Sequence, residues 1–169
     1  MHMGTTFAVM ALAAAIGFGL CRSAAADDRE TCKTATGDTA IEACTRAIAS
    51  KKYKSRKQRK TLSLIYTDRG VELARKKEFA KAIADHDEAI KLDPKNALAY
   101  NNRGNAHLAK GDYGMAVADF DMAVKLNPKF AEALFNRGLA KRGKGDWTGG
   151  DADMAQARQL QPNIGAPAH

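Results

Sequence analysis

The chain is short of the residues that staple, break or ornament a fold. Its 169 residues hold three Cys, four Pro, one Trp and 7% aromatics. Four Pro and 14 Gly exclude collagen and long proline-rich linkers. A chain of this length buries a real core, so disulfides are not obligatory for folding, and it accommodates one domain with at most an appendage. No run of twenty apolar residues occurs, which excludes a multi-span membrane protein. Acids are in deficit: 19 Asp+Glu face 27 Lys+Arg, a formal charge of +8. That balance favours nucleic acid, anionic lipid or an acidic protein face. The charged fraction of 27% excludes wholesale disorder. No Ser–His–Asp set, His-Glu-x-x-His, phosphate loop or paired-carboxylate motif is readable. The chain therefore reads as non-catalytic, with no cofactor and no metal.

What is present begins with an address. Phe7 to Leu20, FAVMALAAAIGFGL, is apolar over fourteen residues, short of the roughly twenty that span a bilayer. Ala24-Ala25-Ala26 suits signal peptidase. Residues 1–26 are expected to be a secretory signal peptide, cleaved after Ala26. The fit is poor at the start, where only His2 and the amino terminus supply charge. Cys21 points to a lipoprotein, but Leu20 stands where a small residue is required. An uncleaved anchor or a buried helix is the alternative. Cleavage removes Arg22 and leaves a charge of +7. It also leaves two cysteines, Cys32 and Cys44, and an even pair in an exported protein points to a disulfide. Closing so small a loop contributes about 2–3 kcal/mol. In a cytosolic protein the same pair would be two buried thiols. No further Cys or nearby His completes a metal set.

The strongest signal is periodic. Pro94, Pro128 and Pro162 are spaced by 34, as are Gly70, Gly104 and Gly138, and Leu92, Leu126 and Leu160. Arg69, Arg103 and Arg137 keep the same period, as do Asp85, Asp119 and Asp153. An aromatic recurs behind an acid as Phe79, Tyr113 and Trp147. A period of 34 marks a solenoid of stacked helix pairs. In 97–130 the first helix is expected over about 97–110 and the second over about 113–126. Gly111 suits the left-handed C-cap and Asp112 the following N-cap, and Asn127-Pro128 ends the unit. Gly104 lets the two helices approach, with Phe120 as its large partner.

These residues resemble the tetratricopeptide repeat (TPR) family. Repeat 63–96 carries Tyr66, Gly70, Leu73, Ala82, His86, Ala89 and Pro94. Repeat 97–130 matches best. Repeat 131–164 carries Leu134, Gly138, Ala157 and Pro162, but departs at Gly150 and Met154. Its Gly149-Gly150 pair is expected to weaken helix initiation by about 1 kcal/mol per Gly. Asp151 and Arg158 stand where Ile83 and Ile90 stand two repeats earlier, so this repeat reads as its own cap. The resemblance implies an all-α, right-handed α-solenoid of stacked antiparallel helix pairs. Residues 27–50 read as an N-terminal half-repeat, with Cys44 in the aromatic's place and Cys32 on the helix before. Residues 51–62 form a basic connector and 165–169 a flexible tail.

Leu normally precedes the repeat glycine, but here it is Arg69, Arg103 and Arg137. Each is expected to reach the Asp sixteen residues on (Asp85, Asp119, Asp153) as a structural tie; a row of anion-binding arginines is the alternative. The resemblance implies a ligand groove along the first helices. It would be lined by Leu64, Thr67, Asp68, Val71 and Ala74; by Leu98, Asn101, Asn102, Asn105 and Leu108; and by Glu132, Phe135, Asn136, Leu139 and Arg142. The asparagines suit an extended peptide backbone, and Leu98, Leu108, Phe135 and Leu139 supply apolar pockets. Family members that clamp a C-terminal carboxylate are matched here only at Asn102, because Thr67, Val71, Glu132 and Asn136 depart from that pattern. His86 and His107 take the places of core aromatics and read as packed, hydrogen-bonded histidines.

The basic run Lys51, Lys52, Lys54, Arg56, Lys57, Arg59 and Lys60 is the densest charge feature. Nucleic acid would suit it electrostatically, but export removes nucleic acid from reach. Anionic envelope lipid or an acidic protein are the exported partners, and a solvated hinge leading into a long helix needs none. The whole resembles a small exported bacterial TPR protein, a periplasmic module or scaffold binding a protein or peptide partner. The other readings are a cytosolic basic adaptor for RNA or acidic proteins, and the accessory subunit of an enzyme complex. Three repeats are near the minimum for a stable solenoid, so weak self-association through an open end stays open.

Overall fold

Helix-forming segments alternate with short breaks, and most breaks have a visible chemical cause. The computed structural model describes residues 24–53 and 55–165. Among them are eight α-helices: α1 Ala24–Thr34, α2 Gly37–Ala49, α3 Arg59–Arg75, α4 Phe79–Leu92, α5 Ala97–Lys110, α6 Tyr113–Leu126, α7 Ala131–Gly143 and α8 Trp147–Leu160. Short 3₁₀ turns at Lys51–Tyr53 and Arg56–Gln58 join α2 to α3. The described residues contain no strand, and no helix among them is long and apolar enough to cross a membrane. The expected signal peptide lies outside the described residues apart from Ala24 to Ala26, which open α1.

Within each full repeat the turn is set by one left-handed residue. Lys77, Gly111 and Gly145, spaced by 34, have φ of 62°, 81° and 92°. Beyond each, an amide reaches back over the helix end. Glu78 N donates to Leu73 O at 2.9 Å, Asp112 N to His107 O at 2.9 Å and Asp146 N to Lys141 O at 3.0 Å. Lys77 takes this conformation without being glycine. Asp112 stands at the N-cap as expected but does not cap; its carboxylate turns to Lys110 at 3.1 Å. Asp146 does cap, accepting from Gly149 N at 2.9 Å.

Every helix packs on the next, so the chain is an all-α solenoid. Successive first helices (α1, α3, α5, α7) also touch one another, which makes their row the inner face. Phe120 is fully buried against Gly104, where a Cβ would lie 2.8 Å from the ring. The Gly149-Gly150 pair does not break α8, for two reasons. Asp146 holds the first amide, and Gly150 allows a contact that a side chain would close. A Cβ on Gly150 would lie 2.7 Å from Gly138 O.

At the N-terminal end, α1 and α2 form a hairpin joined by a Cys32–Cys44 disulfide. Both cysteines are buried with Ala43, Ala47, Tyr53 and Ile65. Gly37 N donates to Glu72 Oε2 at 2.7 Å, tying the hairpin turn to α3. The expected connector is less open than its composition implies. Its last four residues, Arg59 to Leu62, form the first turn of α3, and Tyr53 is only 3% exposed.

Candidate functional site

The inner face is built by α1, α3, α5 and α7, and its residues divide by helical position. Leu64, Leu98 and Leu139 are exposed apolar side chains on this face. Asn102 and Asn105 are half-buried on α5, facing Val71, Ala74 and Arg75 of α3 across a cavity of about 270 Å³. His86 lies beneath this cavity. A second cavity of about 310 Å³ shares Val71 and Arg75 and runs on to the α1–α2 turn at Cys32 to Thr36, past Asp68 and Glu72. Burial raises the Asp68 carboxyl above its ordinary pKa, against the opposing pull of Arg29 and Lys33. Arg75 sits where the two cavities meet and is held by Glu72 Oε1 at 2.6 Å.

The fifth position of each repeat does not line this groove; it lies where one first helix packs on the next element. Asn101 is 1% exposed, so it is not available to a ligand, and its Oδ1 has no partner. Thr67 is 1% exposed and is used internally. Its hydroxyl donates to Ser63 O at 2.9 Å and accepts from Asn96 Nδ2 at 3.2 Å. Phe135 is half-buried beneath the segment after α8. Its ring lies close enough to Gly165 to exclude a Cβ there, and Arg158 stacks over it at 5.9 Å. Leu108 packs against the cluster of Ala116, Phe120 and Ala140. Asn136 donates to Asn105 Oδ1 at 2.9 Å and so braces α7 against α5.

His86 is packed as expected but is not hydrogen-bonded. It is fully buried beneath Gly70, and both ring nitrogens are without partners. Burial, with a smaller push from Arg103 and an opposing pull from Asp87, lowers its pKa to about 4. The imidazole is neutral at ordinary pH. His107 differs: its Nδ1 lies 3.5 Å from Asp112 Oδ2.

The arginine row lies on the other side of the first helices, because residues two apart on a helix point about 200° apart (Arg69 against Val71). Arg69 binds Asp85 through Nε at 2.8 Å and Nη2 at 2.7 Å. Arg103 binds Asp119 at 2.9 and 2.6 Å, and Arg137 binds Asp153 at 2.8 and 2.6 Å. Each pair joins the two helices of one repeat. A second rung was not read from sequence: Arg103 Nη1 also donates to Asp87 at 2.5 Å and Arg137 Nη1 to Asp121 at 2.8 Å. Those carboxylates belong to the preceding repeat, so each arginine fastens two repeats together. The recurring Asp-x-Asp of 85–87 and 119–121 carried that signal. Burial pushes the Asp153 carboxyl up, but hydrogen bonds from Arg137 and Lys141 outweigh it and hold it below its ordinary pKa.

In the basic run, Lys51, Lys52, Arg56, Lys57, Arg59 and Lys60 are exposed around buried Tyr53, and Lys54 lies outside the described residues. No group of three His, Cys, Asp or Glu among the described residues could hold a metal.

Family models decide what this arrangement is. Residues 97–130 match the tetratricopeptide repeat, and residues 70–111 match a TPR repeat model. The chain is a tetratricopeptide repeat protein. No curated protein matches it in sequence. Among solved structures, the Arabidopsis OM64 TPR domain is similar at 28% identity, with a TM-score of 0.62 over 63% of this chain and 88% of that one. The first TPR of Spaghetti (RPAP3), bound to the HSP90 peptide SRMEEVD, aligns at 23% identity with a TM-score of 0.62 over 63% of this chain and 84% of that one. A MamA RS-1 double mutant extends the likeness to 83% of this chain and 77% of that one, at 21% identity and a TM-score of 0.70. The last two likenesses are of TPR fold alone.

Proposed function

We propose that this TPR protein is an interaction module that holds an extended protein or peptide segment along its inner groove. One observation carries the reading: Asn102 and Asn105 face Val71 and Ala74 across an open cavity on the inner face. Amide side chains both donate and accept, as a peptide backbone does, and the apolar wall takes alternate side chains. A TPR domain of this fold is solved with a peptide bound, which supports peptide recognition on such a surface. The ligand here differs from a chaperone tail. The carboxylate-clamping pattern is met only at Asn102, and exposed Glu132 would repel a terminal carboxylate.

Peptides selected from a random display library against the whole protein test this. Their affinity is expected to fall at least about tenfold on Asn102→Ala with Asn105→Ala, with the fold checked by thermal melting. Equal affinity for the well-folded double variant would sink the groove reading. We further read the protein as exported to the periplasm. The buried Cys32–Cys44 bond supports this reading, because such bonds persist in oxidising compartments.

A further inference from the structure

The three tie arginines are not equally supplied. Arg103 and Arg137 each hold two carboxylates, one from their own repeat and one from the second helix before it. Arg69 has its own, Asp85, but its Nη1 meets the hydroxyl of Thr45 at 3.0 Å. Thr45 stands on α2 as Asp87 stands on α4 and Asp121 on α6, so a neutral oxygen occupies the place of a carboxylate. The hydroxyl proton is already given to Ile41 O at 2.7 Å.

Two further facts distinguish this spot. A crevice of about 390 Å³ opens here, floored by Arg69 and Asp85 and walled by Ile41, Leu73, Ala84 and Lys81. Lys81 occupies the position that Met115 and Gly149 hold in the later repeats. A cation thus appears beside the one arginine of the row that lacks its second carboxylate. Lys81 is held only at the rim, by Glu78 Oε2 at 2.5 Å, and stays largely exposed.

We propose that this crevice is a second binding site, which receives the carboxylate of a glutamate or aspartate side chain from a partner protein. The incoming carboxylate takes the place that Asp87 and Asp121 take elsewhere, bridging Arg69 Nη1 and Lys81 Nζ. Apolar Ile41, Leu73 and Ala84 suit the methylene stem. The site lies on the opposite side of α3 from the inner groove and does not depend on the groove reading.

The test uses the whole protein, labelled for amide and arginine Nε–H NMR signals, and an acetylated, amidated glutamate-rich helical peptide. Saturable shifts are expected at Ile41, Thr45, Arg69 and Lys81, and none with the glutamine version of the peptide. Lys81→Ala should weaken binding about fivefold. Thr45→Asp supplies the carboxylate from within. It should raise the melting temperature and reduce peptide affinity at least about tenfold. The proposal is overturned if Thr45→Asp binds as the parent does, or if the glutamine peptide binds equally. It is also overturned if acetate alone gives the same shifts at the same concentration, which marks a small-ion site. Shifts confined to 51–60 or to Val71, Asn102 and Asn105 would overturn it too, by placing the peptide on the basic run or in the groove.

Discussion

His86 occupies beneath Gly70 the place that Phe120 occupies beneath Gly104. A buried imidazole with two unpartnered nitrogens resists protonation, and its pKa sits at about 4. The unfolded chain takes up that proton near the ordinary value of about 6.5. Stability present above that value is therefore lost as pH falls from about 6.5 towards 4, by up to about 3 kcal/mol. His86→Phe removes the titration and supplies a ring that the fold already accepts against a glycine. Melting at about pH 7 and about pH 5 should show a smaller acid loss for the variant; equal losses would contradict this account. The sequence showed that position 86 belongs to the core. It did not show the missing partners, because those depend on what α3 and α5 bring to the ring.

Between helices, the arginine ties were half legible. A spacing of sixteen recurs three times forwards and so announces Asp85, Asp119 and Asp153. The backward rung recurs only at Asp87 and Asp121, and the longer α2–α3 connection shifts Thr45 out of register by eight residues. Asp119 is 4% exposed and accepts both its ion-pair hydrogen bonds from Arg103. Arg103→Leu restores the usual family residue but strands that carboxylate, at a cost of about 3 kcal/mol. Its melting temperature should fall by about 10 °C. Adding Asp119→Leu should recover most of the loss, since an apolar pair can replace a buried ion pair. If the single variant melts with the parent, the rung is ornamental. Helix ends were legible because Gly and Pro mark them. The connector was not, because Tyr53 is drawn into a core made by Cys32, Cys44 and Ile65 from three other segments.

For the whole chain, the 34-residue period made the architecture readable, since each repeat buries its apolar face only against a neighbour. The groove was readable only by position, and packing between successive first helices then withdrew Asn101 and Thr67 from it. Export belongs to this scale as well. Protein from its native host, weighed intact with and without reductant, should have the mass of Asp27–His169 less two hydrogens; a full-length, reduced mass would return it to the cytosol. The arginine ties have a mechanical meaning too. They lie on the side of the first helices away from the groove, where each guanidinium meets carboxylates of the second helices. Arg103 and Arg137 each fasten two neighbouring second helices there, like tendons along a spine. They limit how far neighbouring second helices can spread apart, so the length of inner groove offered to a ligand is held by charge pairs on the far side of the first helices.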